Sequence, residues 1–238
     1  GAPIFDDVTL AFETAARGKR SVALDVGASE DRNRIIHALA AADVLVTDRE
    51  AYRALTSAGV MASIENASLV TCCVSPYGLT GPHADARGSE LTVQALAGVL
   101  STNGEPADPP IQAGVPVAAL SGAFYALIGV LAALHERRRS GAGQLIDQSL
   151  FDALIACQGT LVPGYLRSGE EFRRVGNRHT LTAPWNHFRT ADGWIVIATV
   201  GNEQWHRLAG LIGRVDLIDD DRYRNPVDRI RNVESLDA

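Results

Sequence analysis

Apolar and polar positions along the amino-terminal part of the chain fall in the rhythm of short strands and helices. Residues 21–25 (SVALD) read as a β-like run, and Ser29, Glu30 and Asp31 open a helix whose apolar face uses Ile35, Ile36, Leu39 and Ala40. Residues 43–47 predict a second strand, 49–58 a helix, and 69–74 a third strand, apolar throughout as a strand covered on both faces would be. The order is β-α-β-α-β, so right-handed crossovers predict a mainly parallel, Rossmann-like sheet with flanking helices. No G-x-G-x-x-G follows any of these strands, which leaves a dinucleotide site unsupported.

Residues 117–134 are apolar or small on almost every face, the pattern of a core helix buried on all sides. Pro116 suits a first helical turn, and His135 and Arg137 to Arg139 place positive charge at the carboxyl end, where the helix dipole favours it. Residues 140–143 (SGAG) break the helix, 144–146 read as a short strand, and Ser149 with Asp152 marks a capped start to the next helix. Upstream, the glycines and Pro82 of residues 75–88 make a turn that leads into a helix from about Ser89. Beyond Tyr165 the chain becomes polar, and residues 188–198 predict a hairpin with its turn at Asp192 and Gly193. A short helix follows over 205–212. The expected organisation is a large Rossmann-like domain over residues 1–165 and a connector with part of a smaller α+β domain over 166–238.

A chain of 238 residues with 46% hydrophobic content has enough material for a sizeable core. A formal net charge of -6 offers no basic stripe for a phosphate backbone and argues against nucleic-acid binding. Cys72, Cys73 and Cys157 match no disulfide framework or metal spacing and read as reduced core residues. The six histidines are scattered without ligand spacing, so no metal site is expected. The longest apolar run, near residues 123–134, falls short of the ~20 residues of a membrane helix, so no membrane is expected and the cytoplasm is the default compartment.

The segment GVPVAALSGAFYALIGVLAALHERRRSGAGQLIDQSLFDAL is similar to the signature of the family III CoA-transferases, the CaiB/BaiF-type enzymes, which runs G-x-P-x-x-D, an apolar helix, a basic end and G-Q-x-x-D-x-S-L-x-D. ARGKRSVALD (residues 16–25) and SPYGLTGPHADARGSELTVQALAGVL (residues 75–100) resemble two further family segments in the right order. The resemblance implies CoA or acyl-CoA as substrate with no bound cofactor, a carboxylic acid acceptor and a cytoplasmic dimer. In the family reaction an aspartate attacks the acyl-CoA thioester, a mixed anhydride forms, and the released thiolate converts it to an enzyme-bound CoA thioester that the acceptor resolves.

Aligned without a gap, that aspartate falls on Ala119, so the resemblance implies a member lacking the nucleophile. Leu24 matches an adenine-pocket leucine, Arg87 stands where some members place a lysine near the substrate, and Glu90 stands at an acidic position close to the nucleophile. Glu90 also reads as a helix-dipole complement with no further role. Ser89 replaces the histidine of the racemase members, which disfavours α-proton exchange. Where relatives hold CoA with an N-F-x-P-G turn and a lysine, this chain has Asp48 and Glu50 in the turn and Gly27 at the lysine position. The family comparison predicts a shortened amino end and an incomplete second domain. Three readings follow. The chain is a silent or partner-dependent transferase, as a homodimer or beside an aspartate-bearing paralogue; it is a non-catalytic acyl-CoA-binding or scaffold protein; or it is part of a longer enzyme.

Overall fold

The computed structural model of the chain describes residues 4–5, 8–64 and 66–238. They form two compact units, residues 1–73 with 130–146 and residues 74–129 with 147–238. In chain order, β1 (Ile4–Phe5) pairs antiparallel with β2 (Val8–Thr9), and Thr9 caps α1 (Leu10–Ala16) through its side chain. Then come α2 (Ser29–Ala40), β3 (Val44–Asp48), α3 (Arg49–Ser57), α4 (Val60–Ser63) and β4 (Val70–Ser75). α5 (Glu90–Leu96), the long α6 (Val117–Ser140) and β5 (Leu145–Ser149) follow. The fold is mixed α/β: β3, β4 and β5 form a parallel three-stranded sheet in that order, flanked by helices. β4 is buried along almost its whole length, Thr71 and Ser75 included, as a strand covered on both faces would be.

In the first unit Leu39, Leu55, Val60 and Leu69 make the core, with Ile35, Ile36 and Leu45 packed on it. The helix end at Ser140 is marked by Gly141 at φ 74°, and Gly143 donates its N–H to the Ala67 carbonyl at 2.7 Å. Only glycine fits at 143, because a Cβ there would lie 2.0 Å from the Leu69 carbonyl oxygen. Arg137 closes the same corner, donating to the Ser68 carbonyl and pairing with Asp43 at 2.8 Å.

The second unit is built on α5, the start of α6 and α7 (Leu150–Cys157), around Val93, Ala97, Ala118 and Leu154. Beyond them lie α8 (Leu161–Ser168) and the antiparallel hairpin of β6 (Trp185–Arg189) and β7 (Trp194–Ala198), with Arg189 opposite Trp194. α9 (Asn202–Leu211), α10 (Pro226–Arg231) and α11 (Val233–Asp237) complete it. Ser149 caps α7 by accepting from the Asp152 N–H, as the spacing predicts.

Four expectations are corrected. Residues 21–25 form no strand: Val22 is 74% exposed, and among the described residues the parallel sheet holds only β3, β4 and β5. A β-like pattern becomes a strand only where a neighbour satisfies its ladder. α6 is not buried on all sides. It buries the small residues Ala118, Gly122, Ala126 and Ala133, and turns Leu120, Phe124, Leu127, Ile128 and Leu131 outward. The large side chains follow helical spacing, so one whole face is apolar and uncovered. The apolar stretch is also longer than the sequence reading allows: α6 has 24 residues, and by length and composition alone it passes as a membrane span. Interleaved alanines, glycines and a serine hide that length. Finally, Cys72 and Cys73 are buried but Cys157 is exposed.

Candidate functional site

The first turn of α6 sets the geometry around position 119. The Pro116 carbonyl accepts the Leu120 N–H at 2.9 Å, which makes Pro116 the N-cap, one residue before the expected place. Ala119 is then the third helical residue, and its methyl group is exposed. A helix start leaves backbone donors without helical acceptors. Here Val117 N–H reaches the Val115 carbonyl at 2.8 Å, while Ala118 and Ala119 donate to the two oxygens of Glu90 at 2.7 and 3.0 Å. The carboxylate sits at the positive end of the helix dipole, where negative charge is favoured.

Glu90 is aimed there by α5. Ser89 caps that helix in a reciprocal capping box with Thr92, so Glu90 occupies its first turn. One turn on, Gln94 donates its side-chain N–H to Glu90 Oε1 at 2.8 Å and accepts the Ala113 N–H at 3.1 Å. Gln94 is fully buried. The segment between the two helices is thus held at Ala113, and the first turn of α6 at Ala118 and Ala119, all by side chains of α5.

The loop ahead of α5 is fixed from the signature's other end. Asp147 accepts the Leu79 N–H with both carboxylate oxygens, at 2.9 and 3.0 Å, and Ser75 Oγ accepts the Gly78 N–H at 2.9 Å. Gly88 is required, because a Cβ would lie 2.3 Å from the Pro76 ring. Gly122 lets α6 approach α7, since a Cβ would fall 2.2 Å from a Leu150 methyl group. The exposed Cys157 donates its thiol to Ser121 Oγ at 3.6 Å.

The structure therefore brings Glu90 and Ala119 together. Arg87 is exposed on the approach to α5 and has no ion pair with a described residue. Leu24 lies in the other unit, half-buried in the irregular stretch where a strand is expected. In that same unit Asp48 caps α3 through the Ala51 N–H, and Glu50 pairs with Arg49 at 2.7 Å. The hydrogen bond from Arg49 holds the Glu50 carboxyl below its usual value, so much of the negative charge expected in this turn is offset by a neighbour. Gln94 and Asp147 are the positions that sequence reasoning missed. A glutamine four residues after an acid on one helix face is the signal that finds the first.

Between α5, α7 and α8 a cavity of ≈ 380 Å³ is lined by Ala97, Gln158, Leu161, Val162, Tyr165 and Phe172. No group of three or more histidine, cysteine, aspartate or glutamate residues able to hold a metal occurs among the described residues.

A parallel α/β sheet and a long helix whose start is held by a neighbouring acid place the chain among mixed α/β proteins. The chain belongs to the CoA-transferase family III, whose model it matches over residues 2–238. It is 33% identical over 214 residues to a succinate–glutarate CoA-transferase of Agrobacterium fabrum, covering 89% of this chain and 54% of that protein. It is 35% identical over 234 residues to a succinyl-CoA:mesaconate CoA-transferase of Haloarcula hispanica, covering 94% of this chain and 58% of the relative. A CaiB/BaiF family protein from Brucella suis has a similar structure, with a TM-score of 0.76 and 31% identity over 92% of this chain and 59% of that one. The chain thus spans about half the length of the curated relatives it matches.

Proposed function

We propose that this chain binds an acyl-CoA in the manner of its family and does not transfer CoA by itself. One observation carries the reading. At the third residue of α6, where the ungapped resemblance puts the family's aspartate, Ala119 presents a methyl group, and the adjacent carboxylate of Glu90 is committed to three hydrogen bonds. A methyl group can neither attack a thioester nor carry an acyl group. The names of the relatives support succinyl-CoA as the first donor to test, with a dicarboxylic acid as acceptor.

An aspartate-bearing paralogue as companion subunit supplies what is missing; a second copy, which carries the same Ala119, pairs with the chain as a silent homodimer. The uncovered apolar face of α6 supports a protein partner. Lipid is the weaker occupant, because Ala118 in the first turn is fully buried and Arg137 near the end is bonded to Asp43 and Ser68. Buried thiols that form no disulfide among the described residues suit the cytoplasm. Arg87 and Leu24 are proposed to contact the substrate, and Glu90 to support position 119. A second reading, acyl-CoA binding without chemistry, is favoured by the cavity beside α5, whose mainly apolar lining also includes Ser101, Thr102 and Glu171.

The test is exchange of labelled CoA into succinyl-CoA, run on the purified chain and on Ala119→Asp. Exchange by the variant alone supports a silenced transferase. Exchange by the unmodified chain overturns the reading. Tight binding with no exchange by either protein favours the second reading.

A further inference from the structure

Gln94 ties the segment leading into α6 at Ala113 and reaches the start of that helix through Glu90. Its carbonyl oxygen accepts the Ala113 N–H at 3.1 Å and its amide donates to Glu90 Oε1 at 2.8 Å. That same oxygen accepts from Ala118, and Oε2 of the same carboxylate accepts from Ala119. The glutamine is fully buried, on the helix that also contributes Val93 to the apolar cluster of Val93, Ala97, Ala118 and Leu154. A buried amide with both ends engaged has one orientation, since flipping it would set donor against donor and acceptor against acceptor.

We propose that Gln94 is a positioning residue for position 119: it fixes the rotamer of the Glu90 carboxylate, which in turn holds the first turn of α6 in the orientation a side chain at 119 needs. The proposal rests on the reading that 119 is the reacting position of the fold. Gln94 touches no substrate in this account. It acts through Glu90, and the residues between the two helices, Gly114 and Val115 among them, are set by where Ala113 is tied. Leucine at 94 would keep the volume and lose both hydrogen bonds. Glutamate would keep them only when protonated, because a neutral carboxyl can donate to Glu90 and accept from Ala113, whereas a carboxylate can only repel Glu90.

That difference gives a readout that packing alone would not move. Glu90 is the charged group bonded to residue 94; on the elements packed against α5, Asp152 and Cys157 of α7 are exposed and Tyr77 packs on Phe151. Burial and the Glu90 charge both raise the pKa of a glutamate at 94, so Gln94→Glu should behave like the parent while its carboxyl is protonated and should lose the bond to Glu90 only as the pH is taken above that raised pKa.

The experiment follows amide hydrogen exchange at Ala118 and Ala119 in the full chain, and CoA transfer in the Ala119→Asp background. Gln94→Leu is expected to speed exchange at both amides on the order of tenfold. It should lower kcat by a similar factor with KM for the acyl-CoA unchanged. Gln94→Glu should recover protection reversibly on acidification. Unchanged protection in Gln94→Leu, or a pH-independent Gln94→Glu, overturns the proposal. Should Gln94→Leu unfold, the acid recovery of Gln94→Glu decides alone. If Ala119→Asp transfers nothing, it is the functional reading that fails, and the amide measurement still decides the role of Gln94.

Discussion

Replacing Glu90 with alanine tests the geometry of the site without reference to activity. The substitution removes one carboxylate and leaves three donors without their acceptor: the Ala118 and Ala119 amides and the Gln94 side chain. Ala119 is exposed, so water replaces its partner at little cost. Ala118 and Gln94 are fully buried, and a buried donor left unsatisfied costs about 1–3 kcal/mol. Loss of negative charge at the helix start adds about 0.3–1 kcal/mol. Water entering the space left by the side chain recovers part of this, so the expected loss is about 2–4 kcal/mol. Urea unfolding reads it as a lowered midpoint with an unchanged slope. Glu90→Gln, which retains one acceptor oxygen, should fall between the two. A loss below about 0.5 kcal/mol, the size of an ordinary surface substitution, would refute the assignment of Glu90 as the clamp of α6.

Other substitutions probe the rest of the structure. Gly143→Ala forces a methyl group against the Leu69 backbone and should destabilise by about 3 kcal/mol or more, whereas Gly122→Ala meets only the movable end of Leu150 and should cost less; thermal melts compare them. Arg229 is fully buried and donates to the Ala183 and Tyr223 carbonyls and to Asn202, so Arg229→Met should lower the melting temperature by leaving buried acceptors unpaired. Arg229→Lys should not rescue it, because a single ammonium cannot reproduce the guanidinium fork. In the native protein a thiol reagent should modify Cys157 rapidly and Cys72 and Cys73 only on unfolding. Burial pushes the Cys72 thiol up, so the folded state keeps a proton that the unfolded chain releases; stability should fall as pH rises above about 8.5, with a smaller slope in Cys72→Ala.

Much of this architecture is legible in the sequence because local signals and tertiary environment agree. The run before Ser75 reads as a strand covered on both faces and is buried as β4, Ser149 and Asp152 form the expected cap, and Asp192 and Gly193 lie between β6 and β7. The failures come where a pattern admits two outcomes. α6 carries small and large apolar residues in alternation, and apolarity alone does not say which set faces inward; close approach selects Ala118, Gly122, Ala126 and Ala133. Residues 21–25 have strand-forming character, but a ladder partner is a tertiary fact that no local pattern carries. The same holds at the site. Glu90 and Ala119 are recognisable by resemblance, while Gln94 acts through bonds to Ala113 and Glu90 that exist only once α5 and the start of α6 are packed.

The central claim is that residue 119 is the reacting position of this fold and that its methyl group silences it. The most direct measurement is peptide mass spectrometry of the Ala119→Asp variant and the unmodified chain after incubation with succinyl-CoA and quenching with hydroxylamine, which converts an activated carboxyl group to a hydroxamate. The account predicts a hydroxamate on residue 119 of the variant and no modified carboxyl group in the unmodified chain. A hydroxamate on Glu90 of the unmodified chain, or none in either protein despite demonstrated acyl-CoA binding, would contradict it.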